Sequence, residues 1–122
     1  MVVRVDFTKN KGRGVFASRH FGAGELIEGV PVHVIPNSEW CHVDKTVLTD
    51  YCFLWGDEMA LPFGNFIFYN HSYSPNAYYM KRVGDYIIEM LALRDIQPGE
   101  EILINYNGDP EDDTPVWFEV ED

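Results

Sequence analysis

Short apolar runs separated by polar breaks dominate the chain, and several alternate with a period of two. Val2-Val3-Arg4-Val5-Asp6-Phe7 alternates with β-branched residues and predicts a strand. A loop over residues 9–14 leads to a short strand at Val15-Phe16-Ala17, ended by a turn at Gly22-Ala23-Gly24. Residues 25–28 and 32–35 predict two more strands, with Gly29-Val30-Pro31 as a break and Pro31 at an edge or bulge. A short helix is expected near residue 37, capped by Asn37 or Ser38. Asp50-Tyr51-Cys52-Phe53-Leu54-Trp55 reads as a strand stopped at Gly56-Asp57, while residues 59–68 fit either helix or strand. Residues 77–80 and 86–93 predict a hairpin around Gly84-Asp85. Gln97-Pro98-Gly99 turns the chain into a final strand over residues 101–106. Many short strands, little helix and no repeat make the class mostly β.

Composition narrows the choices. With 122 residues, 46% hydrophobic and 24% charged, one domain with one core is expected over residues 1–122. Seven tyrosines exceed what a core needs, since each buried hydroxyl wants a partner, and they hint at a pocket lined with phenols. The formal net charge of −11 argues against direct contact with nucleic-acid phosphates and favours a basic partner. Two cysteines, Cys41 and Cys52, are too few for a disulfide framework, and no Cys/His spacing suggests zinc. Without a leader-like or membrane-length apolar run, a soluble intracellular protein is expected. The end of the chain is acidic, yet it carries Trp117-Phe118, a pair expected to pack on something because solvated tails are poor in aromatics.

The candidate chemistry centres on Phe66-Ile67-Phe68-Tyr69-Asn70-His71-Ser72-Tyr73-Ser74-Pro75-Asn76, where an aromatic run delivers Asn and His into a turn. Alone it reads as an ordinary buried segment. It stands, however, between Gly12-Arg13-Gly14-Val15-Phe16-Ala17 and Gly99-Glu100-Glu101-Ile102-Leu103-Ile104-Asn105-Tyr106. In that order and spacing the three resemble the SET domain of protein-lysine methyltransferases, over roughly residues 12–106, and the chain is as short as the minimal viral members. Two positions depart from the family pattern: Tyr73 stands where Cys is usual, and Asn105 where Asp is usual.

The resemblance implies several small sheets with a C-terminal pseudoknot, and residues 107–122 completing the lysine channel. It implies S-adenosyl-L-methionine as methyl donor and a lysine in a basic peptide, such as a histone tail, as acceptor. Tyr106 and Tyr51 would be the catalytic pair, with Tyr51 on a strand, and Trp117 or Phe118 would close the channel. Gly12, Arg13 and Gly14 would let the main chain approach the cofactor. Asn70 would offer it a side-chain amide, His71 its main chain, and Tyr106 would also touch it. No metal and no membrane are implied; a homodimer is possible by analogy with the minimal members. The second reading is a SET-fold module that binds basic peptides with little turnover; the third is a small acidic β protein that sequesters a basic partner.

Overall fold

The structure, a computed structural model, describes residues 2–118 and Val120. Its centre is a five-stranded antiparallel sheet in the order β4-β5-β3-β8-β7. These strands are β3 (Leu26–Ile35), β4 (Phe53–Trp55), β5 (Glu58–Pro62), β7 (Ala77–Arg82) and β8 (Ile87–Ala92). A second sheet pairs β1 (Val3–Phe7) with β2 (Arg13–Ala17), and a third pairs β6 (Asn70–His71) with β9 (Leu103–Ile104). The single helix of the described residues, α1 (Asn37–Val43), buries none of its residues. β8 shows why this sequence makes sheet: Ile88, Met90 and Ala92 are fully buried, while Ile87, Glu89 and Leu91 alternate outward. Val15, Ala17, Phe21, Ile96 and Ile102, all buried, extend the same core beneath the β1/β2 hairpin.

Several expectations are corrected. Residues 26–35 form one strand, not two. β3 pairs with β8 up to Pro31↔Ile87 and with β5 from Val32↔Pro62 onward. Pro31 therefore lies where the strand changes partners, at the end of one ladder, and the donor it lacks interrupts neither. The bulge falls earlier, between Leu26 and Glu28. The cap of α1 is Pro36; Asn37 is already helical, and its amide reaches the Asp57 carbonyl at 3.4 Å.

Asp50 and Tyr51 are not strand. They end a 3-10 turn over Val47–Tyr51, capped by the Thr46 hydroxyl, and only Phe53–Trp55 joins the sheet. The last strand shrinks to Leu103–Ile104 because its neighbours bond elsewhere: the Ile102 amide goes to the Val15 carbonyl and the Tyr106 amide to His71 Nδ1. The ambiguous stretch resolves into β5 and a 3-10 turn over Phe66–Phe68. The expected hairpin turn is a 3-10 turn over Val83–Asp85 closed by Tyr86 at φ 56°.

Asn76, 2% exposed, is the side chain that joins the β6–β7 loop to the C-terminal strand. Its Nδ2 donates to the Glu101 carbonyl and its Oδ1 accepts from the Leu103 amide, both at 2.8 Å. Removing it strands two buried main-chain groups, each costing about 1–3 kcal/mol. Asn76→Ala is expected to lower unfolding stability by about 2–4 kcal/mol, read as a shifted urea midpoint at unchanged slope. A midpoint within error of the unmodified protein would refute this role.

Candidate active site

Tyr69 ends the aromatic run and is 1% exposed. Its ring packs edge-on to Phe66 at 5.4 Å, and its hydroxyl donates to Glu28 Oε1 on β3 at 3.0 Å. Burial pushes the Glu28 carboxyl up, with the bonds from Tyr69 and Asn65 opposing that shift. Burial and the adjacent carboxylate together push the Tyr69 phenol well up. The bond to Glu28 and the packing on Phe66 hold Tyr69 in place, with its main-chain carbonyl toward Tyr106. That carbonyl accepts the Tyr106 hydroxyl at 2.5 Å.

The next two residues, Asn70 and His71, form β6 and lie parallel to β9 in the register Asn70↔Leu103, His71↔Ile104. This register brings His71 Nδ1 to the Tyr106 amide, from which it accepts a hydrogen bond at 2.9 Å. His71 is buried, so its imidazole works here as an internal main-chain partner. Among the described residues no group of His, Cys, Asp and Glu could hold a metal ion.

Asn70 Nδ2 donates to the Arg13 carbonyl at 3.0 Å and to Glu101 Oε2 at 2.8 Å. The nitrogen is spent inside the protein, so Oδ1 is the atom this amide can offer a ligand. Gly14 makes that arrangement possible. A Cβ there would stand 2.9 Å from both Asn70 Nδ2 and the Thr8 methyl, and closer still to the Glu101 carboxylate. The room that Gly14 leaves is filled by the protein's own Asn70–Glu101 pair, whereas Gly12, at φ 71°, faces open space.

Tyr106 is the hub of an aromatic group. Trp117 stacks on it at 5.6 Å and 19°, and Phe118 meets it at 5.9 Å and His71 at the same distance. The expected packing of Trp117-Phe118 is therefore onto the Tyr106 and His71 rings, although Trp117 stays 61% exposed. Burial, with smaller contributions from Tyr51 and Glu101, pushes the Tyr106 phenol up to about 12.

Both departures from the motif hold this C-terminal segment in place. The Tyr73 hydroxyl donates to the Thr114 carbonyl at 3.2 Å and accepts the Val116 amide at 3.3 Å. Buried Asn105 donates to the Asp112 carbonyl at 2.5 Å and accepts from the Asn107 amide at 3.0 Å. The contact between residues 105–116 and the β6–β7 loop falls where the pseudoknot is expected.

Two cavities meet at this cluster. One, of about 310 Å³, is lined by Arg13, Phe68, Asn70 and Phe118, with Lys11 at its rim. The other, of about 350 Å³, is lined by Phe53, Tyr69 and Tyr79 among others. Tyr51, Tyr106 and Trp117 line both, as do Asp50 and Ile67. Of the residues proposed for the site from the sequence, Arg13, Tyr51, Asn70, Tyr106, Trp117 and Phe118 line a cavity, and Gly12, Gly14 and His71 do not. Sequence reasoning missed Glu28, Glu101 and Tyr69. Glu101 stood inside a quoted motif, but Glu28 carries no local signal, since its role depends on a contact 41 residues away.

The SET domain family model matches residues 12–107. The chain is 36% identical over 116 residues to a Schizosaccharomyces pombe histone-lysine N-methyltransferase specific for lysine 37 of H3, covering 93% of this chain and 75% of that one. It is also similar to a solved candidate histone methyltransferase of Plasmodium falciparum, with a TM-score of 0.73 and 31% identity over 85% of this chain and 91% of that one. With its motifs in order and its sheets in place, this chain belongs to the SET domain family of methyltransferases.

Proposed function

We propose that the protein is an S-adenosyl-L-methionine-dependent protein-lysine N-methyltransferase acting on a lysine of a basic protein, with a histone tail as the leading class. The observation that carries this reading is the meeting of two unlike cavities at Tyr51, Tyr106 and Trp117. Methyl transfer needs a donor and an amine brought together in line from separate sides, and such positioning contributes about 7–11 kcal/mol.

The smaller cavity suits the cofactor. Arg13 and Lys11 complement a carboxylate, Asn70 Oδ1 can accept from an amino group, and Phe68 and Phe118 offer apolar faces for a purine. The Arg13 guanidinium already lies 4.6 Å from the Phe68 ring centre, which fixes its direction. When bound, the cofactor supplies an electrophilic methyl group on a positively charged sulfur.

The larger cavity suits the substrate lysine. Its aromatic wall removes water, which favours the neutral amine over the ammonium. Tyr106 has its proton committed to the Tyr69 carbonyl, so its oxygen presents lone pairs to an amine N–H. With its pKa pushed up to about 12, it stays a phenol at working pH and serves to orient the amine, not to deprotonate it. Tyr51 also lines both cavities and provides a second hydroxyl for the same purpose.

The direct test is incubation with S-adenosyl-L-methionine and a mixture of core histones and other basic proteins, with methyl-lysine read by mass spectrometry. Transfer is expected, with Tyr106→Phe lowering kcat by about 100-fold, the usual loss for one preorganised hydrogen-bonding group, while cofactor affinity changes little. No transfer to any protein would leave the peptide-binding module as the better account. The absence of cofactor binding as well would overturn the functional reading altogether.

The Tyr106 phenol also has a pH signature. Its folded-state pKa lies above that of an unfolded tyrosine, so the native form holds the proton more tightly. Stability from this group is full below about pH 10 and is lost as pH rises toward about 12. In difference spectra the tyrosinate step near pH 12 is expected to shrink by one residue in Tyr106→Phe, and kcat is expected to show no inflection from Tyr106 between pH 7 and 9. A Tyr106-dependent inflection in that window would show a phenolate base instead.

A further inference from the structure

The net charge of −11 points to a basic partner, but the larger cavity has a different character. Among the described residues lining it, the charged ones are Asp50, at the end of the 3-10 turn, and Lys81, on β7. Neither is in an ion pair with the other, or with any other described residue. The alternation of β7 explains why Lys81 lacks a carboxylate. Ala77, Tyr79 and Lys81 share one face, while Met80 and Arg82 point to the other. The near carboxylate on β8, Glu89, sits opposite Met80 and is taken by Arg82 at 2.7 Å. Lys81 is left with the Tyr79 ring, whose centre lies 6.0 Å from its ammonium. Tyr79 in turn packs edge-on to Phe53 at 4.8 Å, so the lysine stands over a fixed aromatic wall.

We propose that Lys81 is a specificity-determining residue, selecting substrates that carry an Asp or Glu side chain next to the target lysine. The inference rests on reading this cavity as the lysine channel. A peptide whose lysine enters the channel lays its flanking side chains against the rim, where a cation attracts a carboxylate and repels Lys or Arg. Burial lowers the Lys81 pKa although the residue as a whole is exposed, so its charge gains from a counter-ion brought by the ligand. Asp50, the other charged residue of the lining, can take a basic side chain of the same peptide. The acidic surface attracts a basic protein at long range, and the cavity then chooses, within it, a lysine of mixed-charge surroundings.

The test uses peptides identical except for Glu, Gln or Arg beside a single lysine, with binding read by fluorescence anisotropy in the presence of S-adenosylhomocysteine and transfer read separately. The unmodified protein is expected to bind the Glu peptide about threefold more tightly than the Arg peptide, the scale of a partly exposed ion pair. Lys81→Glu is expected to reverse the order, moving the ratio about tenfold, and Lys81→Met to abolish the difference. The same ranking in the unmodified protein and in Lys81→Glu would overturn the proposal, as would failure to bind any peptide. The reversal seen in binding without methyl transfer would uphold Lys81 and overturn the enzymatic reading.

Discussion

Two residue pairs of parallel strand hold the molecule's chemistry together. Asn70 and His71 lie beside Leu103 and Ile104, and in this short ladder the middle of the chain meets its end in register. Two residue pairs supply little energy on their own, so the register depends on side chains that reach main-chain groups. Asn76 spans the gap from one side, and His71 Nδ1 holds the Tyr106 amide from the other. A slip of one residue would turn Tyr106 away from the Tyr69 carbonyl and move its ring off Trp117. The placement of the tyrosine hydroxyl thus follows from buried amide and imidazole groups that never face a ligand.

Much of this was legible in the chain, and the reasons for the rest are physical. Alternation in residues 86–93 identified a strand whose inward residues are the core, because period two is a local property. The motif residues from Gly12 to Tyr106 pointed to one site, and Arg13, Asn70 and Tyr106 among them line a common cavity. What the sequence concealed are relations between distant elements. Pro31 looks like a break because proline lacks a donor, yet β3 changes partners at that point. Asp50-Tyr51 is aromatic enough for a strand, yet the Thr46 cap winds it into a 3-10 turn that carries Tyr51 to the junction of the cavities. Gly14 signalled a close approach, but only the fold reveals that Asn70 and Glu101 are what approach it.

Tyr73 and Asn105, the departures from the family pattern, are both used to bind the C-terminal segment. One spends its phenol on Thr114 and Val116, the other its amide on Asp112 and Asn107. Their substitution is coherent: a hydroxyl and an amide both make directional bonds to main-chain groups, and such bonds fix a segment that has few apolar residues of its own.

That manner of attachment has an energetic consequence. Residues 109–116 bury little apolar surface and are tied down mostly by hydrogen bonds near solvent, whereas Ile88, Met90 and Ile102 are sealed in the core. The two parts of the chain therefore open on different free-energy scales, the segment that precedes Trp117 far below the sheet. Amide protons of β8 are expected to exchange on the scale of global unfolding, and those of residues 109–116 through a local opening. The wall that Trp117 lends to both cavities is thus carried by a segment whose opening costs only a fraction of the stability of the domain.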